Sequence, residues 1–196
     1  MKKFIVAAIA AFIPSFASAE GFYLSALYGS TSLDTGVDTV VGATLEEDDT
    51  GYAFAIGNEI DDNVSIEGFY IDFGEASLRG DNGDTFVLDG TAYVFTASST
   101  IKATGTSMGV ASKLHFDMAE KLSGFVKFGM HSWDTEETLA AATASATTTD
   151  DGIDILMGIG AEYDVSEKVA LVVGYDKYNL DDDDVTFLNG GIKVRF

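Results

Sequence analysis

The stretch Asn189-Gly190-Gly191-Ile192-Lys193-Val194-Arg195-Phe196 decides the fold prediction. Successive side chains of an extended strand point to opposite faces, so Val194 and Phe196 share one face. Lys193 and Arg195 lie on the other face. An apolar face of this kind is a poor edge for a soluble sheet, because it invites aggregation. It suits a closed barrel in a membrane, where the apolar face contacts lipid and the charged face lines the interior.

The amino end indicates export. Met1-Lys2-Lys3 is basic, residues 4–13 are apolar, and Ala17-Ser18-Ala19 has the small residues of a cleavage site. Together they predict a secretory signal peptide over residues 1–19, because the apolar run is too short to cross a membrane as a helix. Residues 20–196 are then expected to form one outer-membrane barrel domain.

The composition excludes several classes of protein. The chain has no cysteine, which rules out disulfides and thiolate metal sites. Its one proline, Pro14, lies in the predicted signal peptide, so every later residue has a backbone donor for strand pairing. The net charge of −21 argues against nucleic acid as a partner, since phosphates are bound by lysine and arginine.

Eight segments with alternating apolar residues predict an all-β fold, an eight-stranded antiparallel transmembrane β-barrel. Short turns are predicted at 61–63, 118–121 and 165–168, and long loops at 32–49, 76–102 and 135–151. Residues 181–184 are the short fourth member of the loop set, and the Ala/Thr-rich residues 140–149 are expected to be flexible. Short turns opposite long loops are typical of outer-membrane barrels. The predicted strands are 21–30, 50–60, 64–75, 103–117, 122–134, 152–164, 169–180 and 185–196.

Two features of the predicted strands need further assumptions. In the third strand Ser65 and Glu67 share a face with Phe69, Ile71 and Phe73, and a bulge, whose position the sequence does not fix, would restore the alternation. Aromatic residues near strand ends are expected to form girdles at the membrane surfaces. They are Tyr23, Tyr28, Tyr52, Tyr70, Trp133, Tyr163, Tyr175 and Tyr178.

Charged residues on the predicted inner faces are expected to pair, because an unpaired charge inside a narrow barrel is costly. The hypothesis is a structural network of four acids and four bases. A gated ion pathway, in which pairs exchange partners, is the alternative. The predicted network consists of Glu67, Lys113, Lys127, Asp154, Glu162, Asp176, Lys193 and Arg195.

Parts of the chain resemble the transmembrane domain of outer-membrane protein A and other small outer-membrane β-barrels. The resemblance rests on residues 103–134, 160–163, 174–175 and 191–196, and within the first of these on 113–117, 120–122, Phe125, Lys127, Gly129, Met130 and Trp133. It implies an interior network of ion pairs and an outer-membrane location in a Gram-negative cell, with long loops extracellular and termini periplasmic. The ending also resembles the signal read by the barrel-assembly machinery, carried here by Asn189, Gly191, Val194 and Phe196.

The predicted loops are strongly acidic. Clustered carboxylates suit divalent cations, and such cations bridging to lipopolysaccharide are one expected role. Asp181, Asp182, Asp183 and Asp184 are weak metal candidates, since they lack the glycine and the distal glutamate of a calcium loop. The other interpretation is a solvated surface of mutually repelling charges.

The residues favour a non-enzymatic protein without a cofactor. The chain has two histidines, His115 and His131, and strand alternation puts Ser132 on the face opposite His131. No serine companion of His115 is evident in the sequence. The predicted function is a structural outer-membrane protein with lipid and lipopolysaccharide as partners. A narrow gated pore for ions or small solutes and a surface adhesin are the alternatives.

Overall fold

Strands dominate the part of the chain that the computed structural model describes, which is residues 21–141, 144–181 and 183–196. The predicted signal peptide, residues 1–19, lies outside these described residues. The strands are β1 (Phe22–Leu33), β2 (Val37–Val41), β3 (Thr44–Glu46), β4 (Asp48–Asp61), β5 (Val64–Gly80), β6 (Thr85–Leu88), β7 (Thr91–Val94), β8 (Ser99–Ala119), β9 (Leu122–Ala141), β10 (Ala144–Ser166), β11 (Val169–Leu180) and β12 (Asp183–Arg195).

Within the described residues, no helix is both long and apolar enough to cross a membrane.

Eight of the strands form a closed antiparallel ring. Its order is β1, β4, β5, β8, β9, β10, β11 and β12, and β12 returns to pair with β1 from Tyr23↔Arg195 to Leu33↔Val185. Apart from the end residues Gly21 and Phe196, each of the eight predicted segments lies in one of these strands, so the eight-stranded antiparallel barrel is confirmed. Because β1 begins and β12 ends at the same end of the ring, that end is called the terminus end. The opposite end, which holds Leu33 and Val185, is called the loop end.

The two faces of the ring differ in the way that the alternation predicts. On β10, Ile153 and Ile155 on the outer face are 70% and 53% exposed, whereas Leu156 on the inner face is 2% exposed. The outer faces of the other ring strands also carry exposed apolar side chains, including Leu188 of β12. An apolar exterior around a filled interior is the pattern of a small transmembrane barrel.

The three predicted long loops are largely strand, so this prediction is wrong. The 32–49 region contains β2 and β3, and the 76–102 region contains β6 and β7. In the 135–151 region β9 and β10 continue and pair with each other up to Ala141↔Ala144. Composition indicated a flexible segment at 140–149, but threonine is β-branched and favours strands when a neighbour is available for pairing.

Strands β2, β6 and β7 form a small separate sheet at the loop end. The β6–β7 hairpin turns through Asp89 and Gly90, whose φ angles are 48° and 72°. Positive φ at both central residues defines a type I′ turn, for which Asp-Gly is a favoured pair. The Asp-Gly pair between apolar residues is the local signal for this hairpin, although the polar composition of the segment indicates a loop.

The third strand contains a register shift against β8, but it lies after Asp72 and therefore does not separate Ser65 and Glu67 from Phe69 and Ile71. Register between β5 and β8 is regular from Val64↔Leu114 to Asp72↔Thr106 and shifts only between Asp72 and Glu75. Gly74 adopts φ of 81° within this shift. Ser65 and Glu67 therefore share the inner face with Ile71, because the interior is polar near the terminus end and apolar near the loop end.

The predicted aromatic girdle is only partly correct. Tyr28, Tyr52, Tyr163 and Tyr175 lie on the outer face and are 42–67% exposed. Tyr23, Trp133 and Tyr178 are at most 4% exposed and point into the barrel. Position near a strand end does not fix the face of a residue, whereas its alternation with its neighbours does.

Candidate functional site in the barrel interior

The interior near the loop end is an apolar layer. Its aromatic side chains are in contact, since the ring centroids of Phe73 and Tyr178 are 5.2 Å apart in an edge-on arrangement. His131 packs edge-on against Tyr178, with centroids 5.4 Å apart. Side chains from several strands thus fill the cross-section. The layer consists of Ala53, Ile71, Phe73, Ala111, Trp133, Leu156, Tyr178, Leu180, Val185 and Phe187.

The interior towards the terminus end is a chain of alternating acids and bases, called the charge ladder. Each member lies within 4 Å of the next one. The order is Asp176, Lys127, Glu67, Lys113, Glu162, Lys193, Glu59, Arg195 and Asp164. Five carboxylates and four cations therefore follow one another without two like charges as neighbours.

The inner part of the ladder is buried and alternates between close and loose contacts. Lys113 Nζ is 2.9 Å from a Glu67 oxygen and 3.8 Å from a Glu162 oxygen. Lys127 Nζ is 2.8 Å from Asp176 and 3.9 Å from Glu67. All five side chains are at most 6% exposed. Charges so deeply buried are tolerated only when paired, so removal of one partner is expected to destabilise the barrel strongly.

The outer part of the ladder meets solvent at the terminus end. Lys193 bridges Glu162 and Glu59 at 2.8 and 2.7 Å. Arg195 binds Glu59 at 2.8 Å and Asp164 at 2.6 Å. The side chain of Asp164 is 45% exposed, and a polar cleft of about 460 Å³ lined by Lys121, Asp164, Ser166, Glu167 and Arg195 opens there. The ladder thus runs from water to the base of the apolar layer.

Small residues and a tyrosine hold the ladder in place. Tyr23 donates a hydrogen bond from its hydroxyl to Glu67 at 2.9 Å, and Lys193 Nζ lies 4.3 Å from the centre of the same ring. A Cβ at Gly57 would overlap the Tyr23 ring, and one at Gly158 would overlap the Asp176 carboxylate. Glycine on the inner face therefore makes room for the large and charged side chains of neighbouring strands.

The structure brings seven of the eight predicted network residues together and leaves Asp154 apart. Asp154 lies near the loop end, where it accepts hydrogen bonds from Trp133 Nε1 at 2.9 Å and from the Asp181 backbone N–H at 3.2 Å. Glu59 and Asp164 belong to the ladder but were not predicted. The alternation in the sequence predicts an inward position for both. Glu59 lies two residues after the inward-facing Gly57, and Asp164 lies two residues after the inward-facing Glu162.

Both histidines have a serine partner on a neighbouring strand, contrary to the expectation for His115. Ser65 Oγ lies 2.9 Å from His115 Nε2, and Ser107 Oγ lies 2.8 Å from His131 Nδ1. These are diagonal cross-strand neighbours, which only the register reveals. The second ring nitrogen of His131 lies 3.3 Å from the Ile155 carbonyl oxygen, which accepts a hydrogen bond from it rather than acting as a carboxylate partner. Ser65 and Ser107 are at most 2% exposed.

The acidic residues at the loop end are partly neutralised within the chain. Lys177 pairs with Asp184 at 2.5 Å, and Lys102 pairs with Glu75 at 2.7 Å. The described residues contain no group of three or more His, Asp or Glu arranged to hold a metal ion. Of the weak metal candidates, Asp182 lies outside the described residues.

The residues of the proposed assembly signal divide between the two faces. Asn189 points inward and donates a hydrogen bond to Asp176 at 3.1 Å. A Cβ at Gly191 would overlap the Ala26 carbonyl oxygen, so glycine permits the close approach of β12 to β1. Val194 and Phe196 lie on the outer face and are 36% and 41% exposed.

Comparison with known proteins agrees with this architecture. Residues 4–196 match the family model described as outer membrane protein beta-barrel domain. Ail, the attachment invasion locus protein of Yersinia pestis solved with the heparin analogue sucrose octasulfate, is similar at a TM-score of 0.54 and 13% identity over 90% of this chain and 99% of its own. The N-terminal β-barrel domain of Pseudomonas aeruginosa OprF is similar at a TM-score of 0.52 and 13% identity, over 90% of this chain and 98% of that domain. Neisserial surface protein A is similar at a TM-score of 0.52 and 15% identity, over 90% of this chain and 98% of its own. No curated protein sequence matches the chain significantly.

Proposed function

The chain belongs to the outer membrane protein beta-barrel domain family, and from this premise we propose that it is a structural, non-conducting barrel of the bacterial outer membrane. The observation that carries the proposal is the filled interior. The apolar layer and the charge ladder occupy successive parts of the lumen. An eight-stranded barrel is only wide enough to be filled by its own side chains, and here they meet one another across it.

The orientation that we propose puts the loop end outside the cell and the terminus end in the periplasm, after removal of residues 1–19. Support comes from the connections. Turns at the terminus end are tight, whereas strands at the loop end extend well past the ring and carry an additional sheet. Outer-membrane barrels have short periplasmic turns and longer extracellular segments.

The partners that we propose are outer-membrane lipid around the exposed apolar faces and lipopolysaccharide at the loop end, with divalent cations as the bridge. Ail was solved in complex with a heparin analogue, the polyanion sucrose octasulfate. A polyanion of that kind suits this chain poorly, because the net charge is −21 and the loop-end cations Lys102 and Lys177 are already paired. Cations that bridge carboxylate to phosphate avoid this repulsion.

We also propose that the protein is not an enzyme. The serines of both Ser–His pairs are buried. The group behind His131 is a backbone carbonyl, which does not stabilise a histidine cation as a carboxylate does. Barrel-assembly machinery is the proposed partner during biogenesis, because β12 together with the following Phe196 has the alternation expected of the assembly signal.

A strain that lacks the chain tests the structural role. It should take up large apolar dyes and bile-salt detergents faster than the parent, while uptake of small sugars stays unchanged. Native protein supplied in trans should restore the barrier, and the same chain with Phe196 deleted should restore it less because less reaches the membrane. Loss of small-solute uptake with an intact detergent barrier would refute the structural role and favour a pore.

A gated pore is the second candidate, and one contact favours it. Lys113 lies between two carboxylates, 2.9 Å from Glu67 and 3.8 Å from Glu162. A small movement of its ammonium group would exchange one partner for the other without leaving a charge unpaired. Opening would also require displacement of Phe73 and Tyr178 in the apolar layer, which makes steady conduction unfavourable.

A further inference from the structure

Strand β10 extends beyond its neighbour β11 at the loop end. It pairs with β9 from Ala144↔Ala141 onwards, but with β11 only from Leu156↔Tyr178. Among the described residues, no strand pairs with residues 144–151 on the side away from β9. Each residue from 144 to 151 is exposed. This stretch is called the free edge.

Alternate residues of the free edge turn their backbone groups outward. The hydroxyl oxygens of Thr147 and Thr138 are 3.2 Å apart across the strands, which is typical of the closer, non-hydrogen-bonded pairs of an antiparallel ladder. The Asp151 N–H donates to the Asp150 carboxylate at 2.9 Å, so it also faces away from β9. Both contacts show that the odd-numbered residues of the free edge point their backbone groups away from β9. The N–H and C=O groups of Ser145, Thr147 and Thr149 therefore face the open side.

The free edge lacks the usual protection against strand addition. Natural edges carry lysine, proline or bulges, or are covered by another element. Residues 144–149 are Ala-Ser-Ala-Thr-Thr-Thr, with neither a charge nor a proline, and the pairing with β9 is regular along their length. Ladder bonds to β9 hold the strand extended, so little conformational entropy would be lost on binding.

The acidic charge around the free edge determines which kind of segment it can bind. The loop-end part of the β9–β10 hairpin, residues 134–154, carries six carboxylates, and the sequence has no lysine or arginine between Lys127 and Lys168. A second copy of this chain would bring an equally acidic hairpin to the edge and be repelled. A cationic segment would be attracted. The six carboxylates are Asp134, Glu136, Glu137, Asp150, Asp151 and Asp154.

We propose that the free edge binds an extended, lysine- or arginine-rich peptide segment of another protein by adding it as a strand beside β10. Backbone hydrogen bonds to Ser145, Thr147 and Thr149 supply the geometry, and the hairpin carboxylates supply the charge selectivity. This binding goes beyond the proposed structural role. It rests on that proposal only for the outward orientation of the loop end, and purified protein suffices to test it.

The probe is a fluorescent eight-residue peptide of alternating lysine and valine, titrated against the detergent-folded barrel. Thr147→Pro removes one outward N–H, which an edge strand tolerates, while Thr147→Val keeps it. We expect Thr147→Pro to weaken binding about tenfold, the effect of one net hydrogen bond. Thr147→Val should bind as the native chain does, and a glutamate–valine peptide should not bind.

Residue-resolved hydrogen exchange gives a second measurement that needs no variant. With the peptide bound, exchange should slow at the amides of residues 145, 147 and 149. The amides of 146 and 148 are already bonded to β9 and should change little. Equal affinity of all three barrels would overturn the proposal, because it would show charge attraction alone. Absence of binding, or self-association of the barrel through this edge, would also overturn it.

Discussion

Lys113 shows at the level of one residue how the interior is stabilised. Its ammonium group is 3% exposed and lies against Glu67 at 2.9 Å. Lys113→Met keeps the length of the side chain but removes the closest cation from the buried Glu67 carboxylate, which keeps only the more distant contact with Lys127 at 3.9 Å. The free energy of unfolding, measured with urea in lipid vesicles, should fall by about 3–5 kcal/mol.

Two further variants check this prediction. Adding Glu67→Gln to Lys113→Met should recover most of the loss, since the uncompensated charge is then gone. Lys177→Met breaks the pair with Asp184 at the loop end, where the lysine side chain is 41% exposed, and should cost less than about 1 kcal/mol. Equal costs for the two single variants would contradict the burial argument.

The inner-face glycines give a second prediction about single residues. A side chain at Gly57 meets the Tyr23 ring, whereas one at Gly68 on the outer face meets only the Gly109 carbonyl oxygen at 3.9 Å. Gly57→Val should destabilise the barrel by about 1–3 kcal/mol through overpacking. Gly68→Val adds apolar surface towards lipid and should have little effect in the same urea titration. A larger loss of stability for Gly68→Val than for Gly57→Val would contradict the assignment of Gly57 to the inner face and Gly68 to the outer face.

Strand β12 carries the prediction that concerns a whole element. The Phe196 ring is 41% exposed on the outer face, so its contribution to final stability is at most the ~1.5–3 kcal/mol of one apolar side chain. Deletion of Phe196 should leave refolding in detergent nearly intact and lower the amount found in the outer membrane of cells. Unchanged cellular amounts would argue against an assembly signal in this strand.

The elements also show what alternation in the sequence does and does not predict. Alternation placed Glu67, Lys113 and Lys193 on inner faces, because period 2 is a property of each strand alone. It did not show the pairing of Ser65 with His115, which depends on register between strands 50 residues apart.

The positions at which the strands end were harder to predict from the sequence than the faces of their residues. Residues 135–141 and 144–151 lack apolar alternation, so they resemble loop in composition. They become strand because each supplies the other with a partner for its backbone groups. The same holds for the β6–β7 hairpin, where the Asp89-Gly90 turn was the only local signal.

In the molecule as a whole, the strands close into a ring and their side chains fill its interior. Each of the eight ring strands pairs with two neighbours, and the apolar layer and the charge ladder occupy successive parts of the described interior. We expect this filling to leave no continuous aqueous path. The loop end differs from the ring, because β10 has an open edge there and carboxylates dominate the surface. The structure thus supports a closed body that presents an acidic, strand-rich surface.

Current through planar lipid bilayers is the decisive measurement for a filled and closed lumen. Purified native protein should give no steady current at moderate voltage. Lys113→Ala should give brief openings that favour cations, because water enters to solvate Glu67 and the loop end is acidic. A large, stable and weakly selective conductance from the native protein would contradict a closed lumen and establish an open pore.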